Sequence, residues 1–176
     1  MKITKNIFPV IALLCGILLG MVNLVFAQPD KIPFEKYGVT EGLPEEFAIE
    51  LLQDDKGFMW CATQNGLVKY DGYVFKIYKA TDDPKDTNQL QLRNLFGGLL
   101  KAKDGKIWIG GSKKNDRKGG ISCFDPETER FKNYAPKVGN TSVRSFFQLL
   151  LEDEEGNIWF RMSTNSMAER TICRLH

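Results

Sequence analysis

Beyond residue 46 the chain is a succession of short apolar runs separated by turn residues. The run Phe47-Ala48-Ile49-Glu50-Leu51-Leu52-Gln53 is followed by Asp54-Asp55-Lys56-Gly57 and then by Phe58-Met59-Trp60-Cys61-Ala62-Thr63. Acidic residues and Gly tolerate the conformations that reverse a chain, so the pattern predicts a β-hairpin, strands A and B. A third run, Gly66-Leu67-Val68-Lys69-Tyr70-Asp71, and a fourth, Phe75-Lys76-Ile77-Tyr78, extend it to four short strands, A to D. Strands B and C are apolar on consecutive residues instead of alternating, which means that both faces of the unit need cover.

The unit recurs. Trp60, Trp108 and Trp159 lie 48 and 51 residues apart, each preceded by acidic residues, a Gly, a spacer and an apolar residue. The second and third turns are Lys103-Asp104-Gly105-Lys106 and Asp153-Glu154-Glu155-Gly156-Asn157. Strands C and D of the second unit, Gly120-Ile121-Ser122-Cys123-Phe124-Asp125 and Phe131-Lys132-Asn133-Tyr134, repeat the form of the first. This period is that of a β-propeller, whose four-stranded blades stack face to face around an axis and so bury both apolar faces. The expected fold is all-β, with about two and a half to three blades of an incomplete propeller. They span 47–78, 92–134 and, in part, 146–176. Each Trp is expected to wedge between neighbouring blades. Gly97-Gly98 fits either a strand crowded near the axis or a bulge. In the lead-in, 28–46, Phe34-Glu35-Lys36-Tyr37 has the form of a strand D, which in a closed ring would complete a last blade that this chain does not contain.

The start of the chain differs in kind. Lys2 and Lys5 precede an almost wholly apolar stretch, 7–22, and Val25-Phe26-Ala27 offers residues that a signal peptidase reads, so residues 1–27 are expected to be a signal peptide cut after Ala27. The alternative is an uncleaved membrane anchor, because 7–26 approaches the ~20 residues that cross a bilayer. Leu14 before Cys15 argues against lipidation. The whole sequence has 24 Lys and Arg against 22 Asp and Glu, and two of its cations, Lys2 and Lys5, lie in the leader. The mature chain is therefore neutral with scattered charges, which gives no footprint for nucleic acid or for an anionic membrane.

Cys61, Cys123 and Cys173 remain after the leader, with no spacing typical of zinc or redox sites. Small apolar residues of strands is the simplest account, though one disulfide is possible in an exported chain. The single histidine is His176, which excludes His-based triads and metal sites. No cofactor or metal is expected.

The string from Gly42-Leu43-Pro44 through Gln53-Asp54-Asp55-Lys56-Gly57-Phe58-Met59-Trp60-Cys61-Ala62-Thr63-Gln64-Asn65-Gly66-Leu67-Val68-Lys69-Tyr70-Asp71-Gly72 closely resembles the opening of two-component regulator propellers. The resemblance covers about 34–175. It departs from the pattern at Gly110-Gly111, where Gly-Thr is usual, and in the third unit, which lacks a clear Gly before strand C. The resemblance implies the periplasmic sensor of a hybrid histidine kinase, of which this chain is an N-terminal piece without the kinase machinery. Many such receptors sense oligosaccharides. It also implies, as partners, the remaining blades of the parent receptor and a second receptor copy. This chain itself is not expected to be an enzyme.

The turn carboxylates Asp54-Asp55 and Asp153-Glu154-Glu155 are read as solvated turn residues, since a repeated surface turn offers no pocket for paired acid–base chemistry. The longer connections carry more information. Strands of a blade run up and down, so the B-to-C and D-to-A links open on one face. Two B-to-C links there are polar insertions, Ser112-Lys113-Lys114-Asn115-Asp116-Arg117-Lys118 and Ser163-Thr164-Asn165-Ser166-Met167-Ala168-Glu169-Arg170. Lys113, Lys114, Asn115, Arg117, Asn165 and Arg170 are the candidate ligand-binding residues, with variable surface filler as the alternative. These readings leave two functions: a ligand-sensing propeller fragment, or a fragment of an exported propeller enzyme such as a lyase whose catalytic residues lie in other blades.

Overall fold

The same turn is built three times in the computed structural model. Asp54 N–H donates to the Phe58 carbonyl (3.0 Å), Ala102 N–H to Lys106 (2.8 Å) and Asp153 N–H to Asn157 (3.0 Å). In each, the Gly sits in the left-handed region, at φ 85°, 82° and 85° for Gly57, Gly105 and Gly156, a conformation that side chains rarely adopt. These turns join strand A to strand B of three antiparallel sheets.

The structure describes residues 12–14, 33–81, 83, 85–113, 119–135, 137–138, 141–142, 146–163 and 170–176. The chain divides into two units, 1–36 and 37–176. Of residues 1–27 only 12–14, in helical conformation, are described; the signal-peptide reading otherwise falls outside the described residues. No helix among the described residues is long and apolar enough to cross a membrane. Residues 33–37 lie outside any strand.

The first blade is β1 (Ala48–Gln53), β2 (Met59–Thr63), β3 (Gly66–Tyr70) and β4 (Phe75–Lys79), hydrogen-bonded in that order. The second is β5 (Leu99–Lys101), β6 (Ile107–Ser112), β7 (Gly119–Asp125) and β8 (Arg130–Tyr134). A two-residue pair, β9 (Lys137–Val138) and β10 (Thr141–Ser142), lies in the link after it. The third sheet has three strands, β11 (Phe146–Glu152), β12 (Ile158–Ser163) and β13 (Arg170–Leu175). The fold is therefore nearly all β, in sheets of four, four and three strands consistent with propeller blades.

The second blade packs on both sides. Towards the first blade, Leu99, Ile107, Ile109, Phe124 and Phe131 meet Trp60, Ala62 and Leu67, with Leu90, Leu92 and Leu95 of the intervening link sealing the cluster. Towards the third, Leu100, Trp108, Ile121 and Tyr134 meet Phe147, Leu149, Ile158, Phe160 and Met162. This explains the consecutive apolar residues of strands B and C: odd and even positions enter different interfaces. Trp60 is 1% exposed, edge-on to Phe124 at 5.2 Å and beside Tyr78 at 5.9 Å. Trp108, stacked on Tyr134 at 5.5 Å, packs against the second cluster. Trp159 departs from the expected wedge, because it lies on the face of the third blade that points away from the second.

The turn carboxylates divide into two kinds, which corrects the solvated reading. Asp55, Glu154 and Glu155 are exposed. Asp54 and Asp153, however, accept turn amides and, through Oδ2, the indole N–H of their own tryptophans: Trp60 Nε1 at 2.8 Å and Trp159 Nε1 at 2.7 Å. The second turn has Ala102 at this position, so the latch is absent there.

The bond from Trp159, helped by Asn157, lowers the Asp153 carboxyl to about 2. An unfolded Asp titrates near ~3.9. Its contribution to stability is thus fully present above that value and lost as pH falls towards about 2. Thermal melts of Asp153→Asn should fall less steeply between pH 4 and 2 than wild type. Identical acid dependence would show that the carboxylate is not held by the indole.

Both readings of Gly97-Gly98 meet ahead of the innermost strand of the second blade: Gly97 N–H donates to Gly110 O while Gly110 N–H donates to Gly98 O, two residues facing one as in a bulge, and Gly97 is crowded as well. Gly97 and Gly98 precede β5; a Cβ at Gly97 would lie 2.6 Å from Gly110 Cα and closer still to the Phe147 carbonyl oxygen. Gly97 N–H donates to Gly110 O (3.0 Å), and Gly97 O accepts Leu149 N–H of the third blade (2.8 Å). Three backbones therefore cross at one residue without room for a side chain. Carboxylates also join the blades at their inner strands: Glu50 accepts Leu99 N–H (3.0 Å) and Glu152 accepts Lys103 N–H (2.7 Å).

Cys61, Cys123 and Cys173 are free, the first two buried. Burial pushes the Cys61 and Cys123 thiols up to about 11, so both stay protonated, as apolar strand residues.

Candidate ligand-binding face

The antiparallel sheets put the A-to-B and C-to-D turns on one face and the B-to-C and D-to-A links on the other. The first face is knitted between blades by ion pairs, Lys56 with Glu127 (2.5 Å) and Lys101 with Asp55, while Lys103 Nζ donates to the Asp153 carbonyl (2.7 Å). It is charged but internally paired, and pairs this exposed contribute little stability.

The opposite face is held mainly through backbone groups. In the first blade the tight turn at Gln64-Asn65 is capped by Glu45, whose carboxylate accepts Gln64 N–H, Asn65 N–H (3.1 Å) and Asn65 Nδ2 (3.2 Å). In the second, Asn133 fastens the link between blades. Its Nδ2 donates to the Thr87 and Gln89 carbonyls (3.2 and 2.8 Å), and its Oδ1 accepts Gln91 N–H (3.3 Å) and the Ser122 hydroxyl (2.6 Å). Arg93 N–H donates to Ser112 O (3.0 Å) and Ser112 N–H to Asn94 O (3.0 Å), which ties the link to the start of the second-blade insertion.

Of the sequence-predicted residues, Lys113 stands on this face and its Nζ donates to Gln91 Oε1 at 3.3 Å. Arg170 begins β13, paired with Ser163 at the corresponding end of the third sheet. Lys114, Asn115, Arg117 and Asn165 lie outside the described residues. Sequence reasoning missed Gln91, Glu45 and Asn133. Asn133 had a legible signal, since it replaces the apolar Ile77 at the matching place in strand D. Among the described residues, no group of three or more His, Cys, Asp or Glu side chains is placed to hold a metal ion. Among the described residues, Lys113 places an ammonium donor on this face, a group suited to hydroxyls or carboxylates.

Blades of this kind, carrying polar links on one face, form a repeat-built, propeller-like all-β architecture. No protein-family model matches the chain. Over 64 residues, 36% of this chain, it is 34% identical to histidine kinase P4 of Formosa agariphila. The chain spans about 4% of that relative's length. The similarity points to a two-component link.

Proposed function

We propose that these blades form the periplasmic, ligand-sensing part of a two-component signalling receptor, and that the ligand is an oligosaccharide. The observation that carries the reading is the similarity to a histidine kinase in a chain folded as stacked β blades. Kinase activity belongs, on this reading, to a longer polypeptide, and the blades supply recognition. The donor set on the link face supports a sugar ligand, because amide and ammonium groups hydrogen-bond hydroxyls and Arg pairs with uronate carboxylates bidentately.

The test replaces Lys113, Lys114, Asn115 and Arg117 together with Ala in the intact receptor and measures signalling against a series of oligosaccharides. The half-maximal concentration should rise by about tenfold or more, the loss of one or two charge-assisted hydrogen bonds. The melting temperature should stay within about 2 °C, as for exposed substitutions. Unchanged sensitivity with an intact fold would show that the insertion is filler.

A further inference from the structure

The second blade carries a polar pair where the first carries an apolar one. Val68 and Ile77 face each other across β3 and β4, and the matching partners across β7 and β8 are Ser122 and Asn133. Ser122 is fully buried, and its hydroxyl donates to Asn133 Oδ1 at 2.6 Å. An aliphatic pair would serve stability as well, because exchanging both partners of a buried hydrogen bond for apolar groups is close to neutral. The polar pair is therefore explained by what Asn133 holds. It bonds the backbone of the link between the first two blades at Thr87, Gln89 and Gln91. Phe131 N–H adds a bond to Asn88 O (3.0 Å), and Thr81 N–H donates to Leu90 O (2.8 Å), which closes the base of the link.

The segment fixed in this way has two sides. Leu90 and Leu92 enter the cluster between the blades, at 0% and 2% exposed, while Gln91 and Arg93 alternate with them and are half-buried. Gln91 Oε1 accepts the Lys113 ammonium, just past the end of β6, at 3.3 Å. Lysine can only donate, so the amide oxygen is the atom turned towards it. The Gln91 Nε2 hydrogens and two ammonium hydrogens remain side by side, and the described residues give them no acceptor. A pair that only donates suits a group that only accepts. A hydroxyl must still place its own proton, whereas carboxylate or sulfate oxygens can accept from both groups at once. Charge agrees, since the sequence from 113 to 118 holds Lys113, Lys114, Arg117 and Lys118 against Asp116 alone.

We propose that Gln91 and Lys113 together bind an anionic group of the oligosaccharide, a carboxylate or a sulfate ester, and that Asn133 with Ser122 is the positioning device that holds Gln91 in place. The proposal rests on the sensing role given above and narrows its ligand to acidic sugars. The site is formed by the link and by strand B of the second blade, elements that are bonded to each other within this chain at Arg93, Asn94 and Ser112.

The test measures binding to the intact polypeptide in detergent micelles by calorimetry. The probes are oligogalacturonides and sulfated galactan oligosaccharides, each also after carboxyl reduction or desulfation. Wild type should bind at least one acidic series about tenfold or more tightly than its neutral counterpart, and the series that binds separates carboxylate from sulfate. Gln91→Glu has the same shape, engages Lys113 and repels an anion. It should weaken acidic binding about tenfold or more and leave the neutral counterpart within about twofold, a change of preference that a structural defect would not produce. Ser122→Val combined with Asn133→Ile installs the first blade's pair. Its melting temperature should stay within about 3 °C of wild type, while acidic binding falls about fivefold or more because Gln91 is no longer held. Neutral sugars that bind as tightly as acidic ones, or a Gln91→Glu variant that keeps the acidic preference, overturn the anionic site and leave a sensor of neutral sugars standing. A double variant that binds as wild type does, or that melts far lower, overturns the positioning role. A wild-type polypeptide that binds none of these sugars and whose phosphate incorporation none of them alters overturns the sensing role and this site together.

Discussion

Replacing Trp60 with alanine should destabilise the blades by about 3–5 kcal/mol, the range for truncating a fully buried Trp in a core that relaxes only in part. The side chain contacts both blades that it separates, so the loss falls on the interface as well as on the first sheet. It also strands the Asp54 carboxylate, which loses its indole donor. Urea unfolding monitored by far-UV circular dichroism would read the change as a lower midpoint. A midpoint within error of wild type would mean that the first two blades do not depend on each other. Trp159→Ala, by contrast, should cost the folded chain much less, because its ring lies on an outward face.

The second large effect is expected at Gly97. An added methyl group meets the Phe147 carbonyl and the Gly110 backbone, neither of which can rotate away as a side chain can. Gly97→Ala should therefore cost about 3 kcal/mol or more, at the upper end for overpacking, by forcing the second and third blades apart. Amide exchange offers a specific readout. Leu149 N–H, which donates to Gly97 O, should lose protection first, while amides of the first blade change little. Uniform loss across all three sheets would contradict a local crossing at this residue.

The repeat was legible because one turn chemistry recurs with three tryptophans, and the four-stranded pattern of the first two units could be read from their matching strands C and D. The features that escaped the sequence depend on how side chains and backbones are placed in space. The six-residue spacing from Asp54 to Trp60 and from Asp153 to Trp159 is visible in the chain, yet nothing local says that the carboxylate turns inward to the indole instead of outward to water. The crowding at Gly97, just before β5, was hidden too, since it comes from Gly110 on the neighbouring strand and from Phe147 of the next blade. On the candidate face, the cationic insertions were legible as polar excess. The Asn133 and Glu45 contacts that order the rim needed the fold, because each pairs with backbone groups 19 to 46 residues away.

Phosphate transfer tests the sensing role most directly. The intact polypeptide that carries these blades, held in membrane vesicles with labelled ATP, should incorporate phosphate on a histidine, and a recognised oligosaccharide should change the rate several-fold. A polypeptide that takes up no phosphate with any oligosaccharide and instead cleaves the polysaccharide would contradict a sensing role and identify an exported propeller enzyme.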